Sequence, residues 1–168
     1  MASIILFQAI YFGTIYTNQN QQEFIVFNSK RTTIFSERKG KNIIVSSSDS
    51  LTENMMNFSI KPYAVANFAS VSKIEKLQNL YYFDKNRILI VDSMGIVSSK
   101  INPEILILTQ SPKINLDRIL QVSKPKLIIA DASNFKTYAA RWKETCLKQK
   151  IPFHSTVEKG FYRLSKED

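Results

Sequence analysis

Histidine and cysteine each occur once in this chain, as His154 and Cys146. One cysteine cannot close an intrachain disulfide, so the disulfide-stapled scaffolds are excluded, although the compartment stays open. One histidine falls short of the two or three imidazoles that a catalytic zinc centre uses. Glycine is scarce as well, confined to Gly13, Gly40, Gly95 and Gly160. Neither GxGxxG nor GxxxxGK[ST] occurs, which excludes a glycine-rich phosphate cradle. No apolar run reaches the roughly 20 residues that cross a bilayer. The nearest approach, Ile4–Tyr16, is 13 residues long and is interrupted by Gln8, Gly13 and Thr14. It has neither the charged start nor the small-residue cleavage site of a secretory signal.

What is present is ordinary apolar content and a surplus of positive charge. The 168 residues suffice for one domain with a real core and not for two. Eleven Phe and seven Tyr supply most of the aromatic content, which suits strands that bury a large surface. The formal charge of +9 favours polyanions, either nucleic acid or anionic headgroups, and serves equally as a solvated face that keeps a domain soluble. Ile4–Tyr16 has two readings: the tail of a transmembrane helix, or a helix or strand packed on the domain. The polar Thr17–Gln22 follows as a linker or turn. The division that results is an apolar segment over 1–17 and a domain over 18–168.

Within the domain, Glu23–Asn28, Thr32–Ser36 and Asn42–Ser46 read as three strands of an antiparallel meander, with a turn at Arg38–Lys41. A short helix is predicted around Leu51–Asn57. Val71, Ile74 and Leu77 stand at helical spacing and predict a helix over Ser70–Leu80. Leu80–Phe83 and Arg87–Val91 read as strands about a turn, with a further short strand at Ile96–Ser98. Glu104–Leu108 and Leu127–Ala130 are continuous apolar runs, as in strands covered on both faces. A helix capped by Asn115 follows the first, with Ile114 and Ile119 as a hydrophobic staple. A longer helix follows the second, capped by Ser133 or Asn134 and ending near Gln149. Its apolar stripe is Phe135, Tyr138, Ala139, Trp142 and Cys146. Phe153–Ser155 and Phe161–Leu164 close the chain as strands. This is a mixed α/β fold, either a sheet-on-sheet core with outer helices or one mixed sheet.

Few residues invite chemistry. His154 is a general base or, as more often, a structural histidine. Cys146 on an apolar stripe behaves as a small core residue. Asp92 and Asp131 end apolar strands, where α/β proteins place functional carboxylates and also ordinary caps. Two carboxylates could hold Mg²⁺ for phosphodiester chemistry, without a DxD or ExD pair to support it. Between Lys113 and Lys150 nine basic residues face three acidic ones. A second basic group, Lys30, Arg31, Arg38, Lys39 and Lys41, lies at the turns of the meander.

The stretches EFIVFNSKRTTIFSERKGKNIIV, PEILILTQSPKINLDRIL and KPKLIIADASNFKTYAARWKETCLKQKIPFHSTVEKGFYRL resemble the C-terminal region of ComEC-type competence proteins. They resemble in particular a branch whose metallo-β-lactamase-like domain has lost its active site. The resemblance implies a metallo-β-lactamase-like sheet-on-sheet core, whole or truncated, with outer helices. It also implies a polytopic channel of the bacterial inner membrane that passes single-stranded DNA, with this domain on the extracytoplasmic face and Ile4–Tyr16 as the end of the last membrane helix.

Active members carry HxHxDH directly after a buried strand. Here the six places read Gln110, Ser111, Pro112, Lys113, Ile114 and Asn115. The degenerate positions Gln110, Pro112, Ile114 and Asn115 offer no good zinc donor. Ser46–Ser48 stands where the family has an Asp-Thr-Gly turn, and Asp131–Asn134 where a further histidine belongs. No catalytic residue, metal or cofactor is carried over. The resulting expectation is a non-catalytic domain that is structural or guides incoming single-stranded DNA by weak phosphate contacts. Its candidate contacts are Lys113, Arg118, Lys136, Arg141 and Lys143, and its partner is the membrane-embedded remainder of the same polypeptide. The alternatives are a metal-dependent nuclease or phosphodiesterase built on carboxylates, and a protein-interaction module that uses an emptied cleft or a sheet edge.

Overall fold

The computed structural model describes residues 2–97 and 101–166. The Ile-, Val- and Phe-rich runs form β1 (Gln22–Val26), β2 (Ile34–Lys39) and β3 (Asn42–Ser47), an antiparallel meander. β4 (Ser70–Lys76) lies parallel to β3, and β10 (Tyr162–Ser165) pairs antiparallel with β1. The first sheet thus has the order β10-β1-β2-β3-β4. The second sheet, in order, is β5 (Leu80–Phe83), β6 (Asn86–Val91), β7 (Ile105–Leu108), β8 (Leu127–Ala130) and β9 (Phe153–Ser155). Its last four strands are parallel. Of the crossovers that parallel pairing requires, β7–β8 is carried by α4 (Leu116–Val122) and β8–β9 by α5 (Lys136–Gln149).

The period-two alternation of each strand decides the layers. Phe24, Val26 and Phe35 from the first sheet meet Ile88, Ile90, Ile105, Ile107 and Ile129 from the second in one buried cluster. The opposite face of the first sheet, with Ile25, Ile34, Ile43 and Val45, packs against Ile60 and Ala64 of the β3–β4 connection. The opposite face of the second sheet, with Leu89, Val91, Leu106 and Leu108, packs against Leu116, Leu120, Trp142 and Cys146. The result is sheet on sheet with helices on both outer faces. Of the two architectures open from sequence, it is the two-sheet one.

The β3–β4 connection is helical over a longer stretch than predicted. It comprises α2 (Glu53–Met55), a π turn over Met56–Ile60 and α3 (Lys61–Ala66). Thr52 caps its start by accepting from the Met55 N–H. Pro62 accounts for the π turn: its ring would collide with the carbonyl four residues back, and one wider turn relieves this.

The helix expected over Ser70–Leu80 is a strand. Val71 pairs with Ile43 and Ile74 with Val45, and the register shifts between Ile43 and Ile44. Ser72 is the extra residue of that bulge, and its hydroxyl donates to the Ile43 carbonyl at 3.1 Å. The bulge places Val71 and Ile74 on one face despite their spacing of three, which imitates a helical period. No strand forms at Ile96–Val97, and Ser98 lies outside the described residues. Neither Ser133 nor Asn134 caps α5; Phe135 is its N-cap residue, without a side-chain cap bond. Phe135 is 69 % exposed and so is not part of the buried stripe, whereas Trp142 and Cys146 are buried. A short helix, α6 (Thr156–Lys159), separates β9 from β10.

Ile4–Tyr16 lies within α1 (Ala2–Asn20). The C-terminal end of α1 is held by Arg38, a wholly buried guanidinium. Arg38 Nη1 donates to the Asn18 carbonyl at 2.7 Å and Nη2 to Gln21 Oε1 at 3.0 Å. Nη2 also lies 3.2 Å from Glu23 Oε2, which accepts from the Tyr63 hydroxyl at 2.6 Å. Burial first, then that hydrogen bond to Glu23, holds the Tyr63 phenol well above its ordinary range. Gly40, at φ +58°, brings the β2–β3 turn so close that a Cβ there would lie 2.6 Å from the Gln19 carbonyl oxygen.

Breaking a buried ion pair by removing one partner leaves the other charge uncompensated. Arg38→Met is therefore expected to cost about 3–5 kcal/mol in urea unfolding, and the double variant Arg38→Met/Glu23→Met less than Arg38→Met alone. Equal stability of wild type and Arg38→Met would show that the clamp does not hold the fold.

Candidate functional site

The loop that follows β7 is where the resemblance places the metal motif. Thr109 ends the buried strand, and Gln110 and Ser111 then adopt left-handed conformations at φ +58° and +55°. Two consecutive non-glycine residues in that region are costly and persist only where surroundings over-determine them. Here they do. The Gln110 N–H donates to Ser133 Oγ at 2.7 Å, and the Ser111 N–H to Asn134 Oδ1 at 2.8 Å. Ser111 Oγ in turn accepts from the Phe135 N–H at 2.8 Å, where α5 begins. Asn134 Nδ2 donates back to the Leu108 carbonyl at 2.6 Å.

Asp131 is the centre of this knot. It ends β8 on the inner face of its sheet and is 2 % exposed. Its Oδ2 accepts from the Thr33 hydroxyl, across the sandwich, at 2.7 Å. Its Oδ1 accepts from the Ser133 hydroxyl, the Ser133 N–H at 3.2 Å and Asn134 Nδ2 at 3.0 Å. Thr33 closes the circuit: its N–H donates to Ser48 Oγ at 3.2 Å. The three segments that the resemblance singled out, Ser46–Ser48, Gln110–Asn115 and Asp131–Asn134, therefore converge at one rim of the sandwich. Side-chain hydrogen bonds join them there. Thr33 was not singled out from the sequence; its partner lies 98 residues away. Burial pushes the Asp131 carboxyl up to about 6, and the hydrogen bonds from Ser133 and Thr33 offset part of that rise.

The other motif positions have structural roles. Pro112 is buried. Ile114 packs on the helix-covered core, and Asn115 caps α4 by accepting from the Arg118 N–H at 3.1 Å. Asp92 does not reach the knot through any described hydrogen bond; its Oδ1 accepts from the Met94 N–H at 3.0 Å. Among the described residues no group of three or more His, Cys, Asp and Glu side chains is placed to hold a metal ion. The Cys146 thiol is buried and pushed up to about 12, by burial first and Asp117 second. His154 Nε2 lies 3.0 Å from the Gly160 carbonyl, and its ring packs edge-on against Tyr162.

The basic candidates divide. Ile114 and Asn115 form a ridge between two surface grooves. One, of about 460 Å³, is lined by Lys113, Arg118, Gly95 and Val122. The other, of about 380 Å³, is lined by Arg141, Lys148, Asp117 and Glu144. Lys113, Arg118 and Arg141 thus gather about one ridge, and Lys148, which is not among the candidates from sequence, joins them; its spacing of seven from Arg141, about two helical turns, is the signal that could have found it. Lys143 lies elsewhere on α5 and is paired with Glu158 at 2.7 Å. Lys136 is exposed in the first turn of α5. A third groove, of about 520 Å³, lies on the first sheet among Phe58, Tyr63, Phe161 and Arg163.

Two stacked sheets with outer helices and a hydrogen-bonded knot at the strand ends define a mixed α/β domain of the sheet-on-sheet class. Residues 24–166 match the family model of the ComEC C-terminal domain, and the chain belongs to that family. The family is membrane-associated. Among the described residues no helix is long and apolar enough to cross a membrane. No curated protein and no solved structure matches the chain.

A carboxyl with its folded pKa raised from 3.8 to about 6 binds more protons folded than unfolded between those values, so its contribution to stability falls as pH rises through that window. The span corresponds to a contribution on the order of 2–3 kcal/mol. Asp131→Asn is expected to remove this fall, read as the wild-type-minus-variant difference in urea stability between pH 4 and pH 7. The difference cancels Glu37, whose carboxyl is also raised by burial. Parallel pH profiles would refute the buried titration.

Proposed function

We propose that this chain is a non-catalytic domain of a ComEC-type DNA-uptake channel, and that it guides incoming single-stranded DNA by weak phosphate contacts. The reading is supported above all by the ridge at Ile114–Asn115, which has cationic side chains on both sides. The loop at the metal-motif position is tied down by Ser133 and Asn134. The Asp131 oxygens are already engaged by four donors. A carboxylate that must release those donors to take a metal is a poor ligand, which weighs against a nuclease. Phosphate contacts need only solvent-accessible lysine and arginine, and Lys113, Arg118, Arg141 and Lys148 are exposed. Asp117 and Glu144 share the second groove and keep the attraction modest, as a strand in transit requires. α1 serves as the end of a membrane helix that joins the domain to the membrane-embedded remainder of the same polypeptide, on the extracytoplasmic face.

Fluorescence anisotropy with labelled single-stranded DNA tests this. Binding is expected at tens of micromolar protein in low salt, with log K falling against log[NaCl] at a slope of about −2 to −3 for three or four contacts. Lys113→Ala/Arg118→Ala/Arg141→Ala should weaken it about tenfold or more and flatten that slope. No binding at low salt, or an unchanged triple variant, would remove the guiding role. Turnover of DNA with Mn²⁺ that disappears in Asp131→Asn would replace it with the nuclease reading.

A further inference from the structure

The apolar helix and the first sheet meet at a junction that carries a polar groove of its own. Side chains are exposed on every side of α1: Ile5 65 %, Phe7 70 %, Ile10 61 % and Phe12 65 %. These positions lie at different azimuths around the helix, so no single protein face would cover them all. A helix apolar all round is covered by a surrounding apolar medium. The stretch from Ile4 to Tyr16 spans roughly 20 Å at 1.5 Å per residue, which enters the hydrocarbon of a bilayer without crossing it. Tyr11 rests edge-on against Phe68, and beyond it Ser3–Ile10 are exposed.

The Arg38 clamp sets where the domain stands relative to that apolar stretch. It binds the Asn18 carbonyl, two residues beyond Tyr16, where the apolar stretch ends. Immediately there, a groove of about 370 Å³ is lined by Tyr16, Thr17, Asn20, Gln21, Gln22, Ser165 and Lys166. Among the described residues the lining has hydroxyls, amides and one ammonium, and no carboxylate. Tyr16 is 71 % exposed at its rim, the position where an amphipathic ring marks a membrane–water boundary. Two more exposed lysines stand on the other side of the same junction. Lys39 pairs in register with Gln22, and Lys41 follows in the turn whose Gly40 N–H donates to the Gln21 carbonyl at 3.0 Å. On the Lys166 side, its own N–H donates to the Gln22 carbonyl at 3.0 Å. The helix thus leaves the domain between Lys166 on one side and Lys39 and Lys41 on the other.

We propose that this junction is a binding site for the phosphate headgroup of an anionic phospholipid, seated in the groove between Tyr16 and Lys166 with Lys39 and Lys41 as a second cationic contact. The site rests on the reading that α1 enters a bilayer. The groove then lies at headgroup height, because the clamp fixes the last turn of the helix to the sheet. Its amides and hydroxyls suit phosphate and glycerol oxygens, and the three ammonium groups select negative charge.

Vesicle flotation of the full chain tests both layers. Phosphatidylcholine vesicles are compared with vesicles of phosphatidylcholine and phosphatidylglycerol at 7:3. Binding to both is expected, with at least about a tenfold preference for the anionic vesicles. Lys39→Glu/Lys41→Glu/Lys166→Glu should reduce that preference to within about twofold while retaining binding to neutral vesicles. If the variant fails to fold, wild type in high salt gives the same reading, since screening removes the preference. Equal binding of wild type to both vesicles overturns the headgroup site and leaves the bilayer reading of α1 standing. No binding to either removes both. Loss of the preference on adding inorganic phosphate at constant ionic strength would assign the site to free phosphate instead. Tryptophan placed singly at Ile5, Phe7, Ile10 or Phe12 should be quenched by brominated lipid at all four positions; quenching on one face only would place a protein on the other.

Discussion

The contact on which the rest of this structure depends is the apolar face shared by the two sheets. Nine buried side chains, from Phe24 to Ile129, fill it. At roughly 25 cal/mol for each Å² of apolar surface removed from water, such an interface outweighs any single polar contact. It also admits no unpaired polar group without penalty. Polar groups are therefore displaced to the rim or to an outer face, where the charged ones find partners, while the buried hydroxyls of Ser36, Thr109 and Thr156 have none. The two polar centres of the molecule, at Asp131 and at Arg38, are consequences of that rule.

They solve the same problem differently. Asp131 is a lone carboxylate satisfied by neutral donors from two segments, Thr33 and Ser133–Asn134, and its raised pKa reflects its burial. Arg38 has a counter-charge in Glu23, with Arg163 3.7 Å from the far oxygen of that carboxylate. The first arrangement holds Gln110 and Ser111 in left-handed conformations at the rim of the sandwich. The second holds the last turn of an apolar helix against a sheet. A network of short hydrogen bonds thus ties the Gln110–Ser111 loop to the end of β8, while Lys113, Arg118, Arg141 and Lys148 stay exposed around Ile114.

The sequence made the parallel half of the domain legible because its signals are local. Glu104–Leu108 and Leu127–Ala130 are continuous apolar runs, and Asn115 sits one residue before its helix with Ile114 and Ile119 flanking it. Ser70–Lys76 was misread because a bulge at Ser72 shifts one face by a residue, and a spacing of three then has two meanings. Ser133 and Asn134 have good capping chemistry, but the Gln110 and Ser111 backbone groups compete for it. Phe135 follows the helical period yet falls where the helix has not begun, so its ring faces solvent.

The sequence by itself determined most element types in the last third, the absence of His, Cys, Asp and Glu from Gln110–Asn115 and the excess of positive charge. These follow from composition and from neighbours within a few residues. Only the tertiary structure decided that Thr33 meets Asp131, that Lys148 rather than Lys143 stands beside Arg141, and that Arg38 grips the end of α1. Each of those pairings joins residues far apart in the chain or on different faces of one helix. The choice between them is made by which surfaces the two sheets bury, and no local pattern encodes that.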